Sequence, residues 1–351
     1  YFEEGELEFN NRQSNWESGI VNIFPHVTYQ EVLGFGGAFT ESAAYNYSLL
    51  SEDDKKRFME LYFSKDKGIG YSFGRTHINS CDFSLDVYSY VKDGDKTLES
   101  FDISRDKKYI IPFIKDALKY CEEDLILFAS PWSPPGYMKN TGKAPCGGKL
   151  LDEYKEIWAH YYAKYVKAFA AEGIKIAAIT VQNEPMAWQP WESCEFSAEE
   201  EKQFLEKYLI PALDEEGLSY LKIIIWDHNK ERVFDRAEHI LKDSELLQKR
   251  VWAVGHHWYS GEHFDGMRLV HEQLDKPLIC TELCLQLDID ALTVAEKYVH
   301  EIAGNFNNFE IANCDWNLLL KEVLSITEPA EAVQSPVLFS MIPKADLMPQ
   351  L

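Results

Sequence analysis

The chain has 351 residues, 46% of them hydrophobic and 14% aromatic, enough for one large α/β domain or two modest ones around a buried core. Its formal charge of -23 argues against a nucleic-acid groove and against binding to an anionic membrane surface. No apolar run reaches the roughly 18 residues that a membrane-spanning helix needs, so stable membrane insertion is not expected either.

The start, YFEEGELEFN, is acidic and is not a signal peptide, which predicts a cytoplasmic location; it also lacks an initiating Met, as a fragment would. Residues 1–30 alternate loosely between polar and apolar. Residues 21–24 predict a short strand outside the main domain, read as a piece of an appended β-sandwich. Next comes EVLGFGGAFT (31–40), a strand with glycines at its end, then a helix opening at Ser51 with a Ser-x-x-Asp cap. The glycines lack Gly-x-Gly-x-x-Gly spacing, so tight packing at a barrel strand explains them better than a dinucleotide site.

From there one unit repeats: apolar strand, polar or aromatic strand end, amphipathic helix. Strands are predicted at residues 33–38, 71–78, 125–130, 176–182, 221–226, 251–257, 277–282 and 309–315. In the helical stretch 153–171, Tyr154, Ile157, Trp158, Tyr161, Tyr162 and Tyr165 recur at helical spacing, a stripe that belongs against the sheet. Eight such units predict an α/β fold, a TIM (β/α)8 barrel over residues 31–320; a doubly wound sheet is the alternative, but it lacks a phosphate loop. The acidic run Glu199, Glu200 and Glu201 reads as solvated surface.

In a barrel all strand ends meet at one mouth, and here they carry Phe39, Glu41, Arg75, Asp82, Trp132, Asn183, Glu184, Asp227, His228, His257, Tyr259, Glu282, Trp316 and Asn317. Pro185 cannot join a sheet ladder and keeps Glu184 out of the helical region, leaving its carboxylate at the rim. The strand PLICTE ends in a second carboxylate, Glu282, across the mouth. Cleaving a glycosidic bond takes one carboxylic acid to protonate the leaving oxygen and one carboxylate to meet the anomeric carbon, and Glu184 and Glu282 form that pair. Arg75 is expected to keep Glu282 ionised, and the charge of Glu282 to raise the pKa of Glu184. Each residue also has a plainer reading: Arg75 as a structural ion-pair partner, Asp82 as a turn cap, Trp132 as core. His256 and His257 must face opposite sides of their strand.

Seven cysteines, Cys81, Cys121, Cys146, Cys194, Cys280, Cys284 and Cys314, show no disulfide spacing, and the odd count suits a reducing compartment. Cys280 and Cys284 share a strand face as small packing residues. No spacing of three metal ligands is visible, so neither metal nor cofactor is expected.

The runs GFGGAFTESAA (34–44), GIGYSFGRTHINSCDFS (68–84), ASPWSPPGYMKNTG (129–142), TVQNEP (180–185) and HWY (257–259) resemble glycoside hydrolase family thirty, the glucosylceramidase-like enzymes, over about residues 30–320. The resemblance implies a TIM barrel with an appended β-sandwich, a retaining mechanism and no metal requirement. It implies Glu184 as acid/base and Glu282 as nucleophile, with Asp82, Trp132, Asn183, Tyr259 and Trp316 touching the glycone and Arg75 and His257 supporting them. The implied partner is a β-glucoside, glycolipid or oligosaccharide; relatives that act on β-1,6-glucan, xylosides or fucosides keep those alternatives open. A non-catalytic carbohydrate-binding protein is the alternative of another class. Residues 321–351 do not follow the family pattern. They are set apart as an atypical tail, as in a truncated or frame-shifted product, with an incomplete or missing β-sandwich that would expose apolar surface and lower solubility. The small residues common around the family's nucleophile are replaced here by Cys280, Thr281, Leu283 and Cys284.

Overall fold

The structure, a computed structural model, describes residues 24–121, 125–284 and 291–318. Eight strands, β1 (Gly34–Phe39), β2 (Phe73–Ile78), β3 (Ile126–Pro131), β4 (Ile176–Thr180), β5 (Lys222–Asn229), β6 (Val251–His257), β7 (Leu278–Glu282) and β8 (Glu310–Leu318), form a closed barrel. Each pairs in parallel with its neighbour in sequence, and β8 closes on β1. All eight predicted strands are present, and closure rules out the doubly wound sheet. The expected strand at residues 21–24 falls outside the described residues except for Phe24, which is irregular. So do the sandwich and the tail at 321–351.

The interior of the barrel alternates large and small side chains. Phe73, Phe128, Ile224 and Ile279 interleave with Ala178, Ala253, Ala312 and Cys314, so the centre is a packed core and not a pore. Gly36 shows why β1 is glycine-rich: a Cβ there would lie 1.3 Å from the Phe73 carbonyl oxygen. Outside the sheet, the helix Lys155–Ala171 buries Trp158, Tyr161, Tyr162 and Tyr165 completely, as the periodicity requires. The tyrosines also use their polar ends, Tyr162 donating to the Val181 carbonyl at 2.5 Å and Tyr165 to that of His77 at 3.4 Å. The aromatic stripe therefore fastens this helix to the ends of β2 and β4.

Ser51 caps the helix Glu52–Phe63 as predicted, its side chain accepting from the Asp54 N–H. The acidic run needs correcting. Ser197 and Glu200 form a capping box, but Glu201 is 1% exposed, accepting from the Trp226 N–H at 3.0 Å and from Arg236 at 3.2 Å. Burial of one carboxylate in three braces a bulge in β5, where Trp226 and Asp227 have φ of 73° and 53°.

Candidate active site

The two carboxylates reach the mouth by different routes. Glu282 is the last residue of β7, whereas Glu184 lies beyond β4, where Pro185 stops the ladder. Its backbone stays out of the right-handed helical region, as the following proline requires, and is left-handed at φ 48°. Such a conformation costs about 1–3 kcal/mol in a residue with a Cβ, and surrounding bonds hold it. The Glu184 N–H donates to the Asp227 carbonyl and the Asn183 N–H to that of Pro131, each at 2.9 Å.

Arg75, on β2, organises the floor. Nη1 donates to Glu282 Oε2 at 2.8 Å and to the Thr281 carbonyl at 3.2 Å. Nη2 donates to Asn183 Oδ1 and Asp227 Oδ2 at 2.9 Å, and Nε to Ser130 at 3.0 Å. Arg75 is thus an ion-pair partner of both Asp227 and Glu282. With Arg75 and Asp227 fully buried, removing one partner of such a pair costs about 3–5 kcal/mol. Arg75 also fixes the Asn183 amide with its oxygen inward, making the NH2 the end left for a ligand.

His257 links the carboxylates. Nδ1 lies 3.1 Å from Glu184 Oε1 and 3.9 Å from Glu282 Oε1, and Nε2 is 3.0 Å from Asp227 Oδ1. Burial alone would lower its pKa, but Glu282, Asp227 and Glu184 together raise it from 6.5 to about 9, so the ring is an imidazolium at neutral pH. Burial likewise raises Asp227, yet Arg75 and His257 hold it well below the usual carboxylate range. For Glu184 burial is outweighed by the hydrogen bond and charge of His257, and its pKa is lowered; Glu282 is raised by burial and by Glu184, against His257 and Arg75. This reverses the order expected from the sequence, because the imidazolium sits closer to Glu184 than to Glu282. A group whose pKa rises on folding stabilises the fold fully below its unfolded value and loses that contribution as pH climbs through the folded value. We therefore expect urea-unfolding free energy to drop between pH 6.5 and about 9, with the drop smaller in His257→Gln. Identical pH profiles for the two proteins would refute the charge assignment.

The remaining predicted residues divide. Tyr259 donates to Glu282 Oε1 at 2.8 Å, its ring partly exposed. Asp82 aims a third carboxylate at the pair: burial, then the charges of Glu282 and Glu184, push its pKa well up, and its buried Oδ1 has no hydrogen-bond partner. Trp132 is 1% exposed, with the Arg75 guanidinium 4.7 Å from its ring centroid. Trp316 lies on β8, but its side chain is outside the described residues. Glu41 is held elsewhere, gripped by Arg105 at 2.6 and 3.0 Å.

Sequence reading placed Asp227 at a strand end without a role, and missed Gln189, whose Nε2 lies 3.4 Å from Glu184 Oε2. Asp227 follows the apolar run of β5, the same signal that found Glu282. Among the described residues, two groups bring three metal-capable side chains within 4.8 Å: Glu184, His228 and His257, and His256, Cys280 and Glu310. In the first, both His257 nitrogens face carboxylates, Nδ1 that of Glu184 and Nε2 that of Asp227. His256 faces away from His257, as the strand alternation predicts, 3.0 Å from Glu310. A cleft of about 650 Å³ on the same face is lined by Asn79, Tyr88, Ser133, Tyr137 and Glu192 and by neither carboxylate of the pair.

Comparison with known proteins bears on this arrangement. The chain matches the Glycosyl hydrolase family 30 TIM-barrel domain over residues 32–347, a span that runs into the segment set apart as a tail. The lysosomal acid glucosylceramidase of Mus musculus is 30% identical over 346 residues, covering 93% of this chain and 66% of that protein. Among solved structures, SrfJ from Salmonella typhimurium superposes with a TM-score of 0.78 at 38% identity, covering 82% of this chain and 65% of that one. The endo-β1,6-glucanase BT3312 gives 0.76 at 30%, covering 84% and 68%. The chain thus spans just under two thirds of the length of the curated relatives it matches first. With the closed eightfold barrel and a family match across most of its residues, the chain belongs to glycosyl hydrolase family 30.

Proposed function

We propose that the protein is a retaining β-glycosidase acting on β-glucosides. The observation that carries the reading is a pair of carboxylates, on the rims of β4 and β7, both within reach of one imidazole nitrogen. In this scheme Glu184 protonates the glycosidic oxygen while Glu282 attacks the anomeric carbon, giving a β-linked substrate an α-glycosyl ester and a free alcohol. Water, deprotonated by Glu184, then displaces Glu282 and restores the β configuration.

The charge layout supports these roles. His257 Nδ1 holds Glu184 Oε1 at 3.1 Å, which leaves Oε2 as the oxygen that exchanges a proton with the leaving group and then with water. Once Glu282 is esterified its charge is gone, His257 loses its largest support, and Glu184 faces a weaker cation as it takes up the water's proton. Asp82 Oδ1, buried without a donor, suits a sugar hydroxyl, since such an orphan costs about 1–3 kcal/mol until it is satisfied. Asn183, its amide fixed by Arg75, suits the 2-hydroxyl. The likeness to glucosylceramidases and to an endo-β1,6-glucanase supports glucose as the glycone.

The test is mass spectrometry of the intact protein after incubation with a 2-deoxy-2-fluoro-β-glucoside bearing a good leaving group. One added sugar, mapped to the peptide containing Glu282, is expected. No label with this reagent, from a chain that melts cooperatively, would sink the β-glucosidase reading and favour a carbohydrate-binding role.

A further inference from the structure

On the leaving-group side of Glu184 the structure presents an exposed tryptophan in a built seat. In a double displacement the nucleophile and the departing alcohol lie on opposite faces of the anomeric carbon, and the acid stands with the alcohol. Glu184 Oε1 faces inward to His257, while Oε2 faces Gln189, in the loop that follows β4. The departing group therefore leaves along that loop. Its course is fixed: the Ala187 N–H closes a turn on the Glu184 carbonyl at 2.9 Å, and Ser193 Oγ donates to the Gln189 carbonyl at 3.2 Å and accepts from the Gln189 N–H at 3.1 Å. A second loop clasps it, the Cys146 N–H reaching the carbonyls of Gln189 and Trp191 at 3.1 Å.

Trp188 stands on this clasp, 61% exposed. Its indole is seated on Gly147, where a Cβ would come within 2.4 Å of Cδ1, and the Glu195 carboxylate abuts the same point, 2.9 Å from that Cβ position. Gly147 is also at φ 63°, so both space and backbone demand glycine there. Glu195 Oε1 is held by the Gly148 N–H at 3.2 Å. A fixed aromatic face beside an oriented carboxylate matches a sugar ring, whose C–H face stacks while its hydroxyls donate at the edge. An isolated acyl chain has nothing to offer the carboxylate.

We propose that Trp188 and Glu195 form the binding platform for the first sugar of the leaving group, so that the natural substrate is a β-linked oligosaccharide. This rests on the glycosidase reading. The experiment compares wild type, Trp188→Ala and Trp188→Phe on three substrates: a β-1,6-linked diglucoside, an alkyl β-glucoside, and β-glucosyl fluoride, whose leaving group cannot touch the platform. In Trp188→Ala, kcat/KM for the diglucoside is expected to fall at least ten-fold more than for the fluoride, with Trp188→Phe recovering part of the difference. Equal losses on the diglucoside and the fluoride, or none, overturn the platform. Wild-type protein that cleaves the fluoride and an alkyl glucoside but not the diglucoside overturns the sugar assignment. A wild type inactive on all three removes the glycosidase reading itself, and the platform with it.

Discussion

Glu282→Gln is expected to lower kcat by about 10⁴- to 10⁶-fold, because the amide cannot form the glycosyl ester; at 1.36 kcal/mol per factor of ten this is about 5–8 kcal/mol of barrier. The fold should survive. Arg75 keeps Asp227 as its buried counter-charge, and the glutamine oxygen can take the place of the carboxylate opposite Nη1. A cooperative thermal melt close to that of wild type would confirm this, and the variant should take no label from the 2-fluoro glucoside. Activity within about ten-fold of wild type in a freshly purified variant would remove Glu282 from the nucleophile's role.

Glu184→Gln should behave differently, and the difference identifies its role. A general acid contributes about 10²- to 10⁴-fold when the leaving group is a poor one, and little when the departing phenol needs no proton. We expect a loss of that order on an alkyl or sugar β-glucoside and a much smaller loss in the first step with a dinitrophenyl β-glucoside. Deglycosylation should then become slow, since the variant has no base for water, and a burst of phenol should precede steady turnover. Equal losses for good and poor leaving groups would rule out the acid/base assignment. His257 offers a second readout, for without the Glu184 charge one support of its raised pKa is gone.

Much of this site was legible because it sits where local patterns end. Strand 176–180 stops at Asn183, Glu184 and Pro185, and strand 278–282 stops at Glu282; once eight such strands are placed in a barrel, their rims must converge. The GFGGAF glycines and the Trp158 to Tyr165 stripe were legible for the same reason, each being set by packing within one element and its neighbour.

By itself, then, the sequence determined the element order, the barrel and the two rim carboxylates, because periods of 2 and 3.6 residues and a strand-stopping proline act over a few residues. Only the tertiary structure decided the chemistry between elements. Arg75 meets Glu282 across 207 positions of sequence and Asp227 across 152, which no local pattern encodes. Glu201 looks like its two acidic neighbours until the fold turns it alone onto Arg236 and the β5 bulge. The pKa order that sequence reasoning expected for Glu184 and Glu282 is reversed, because three carboxylates converge on one buried ring, and electrostatic energy depends on distance and burial, not on order along the chain.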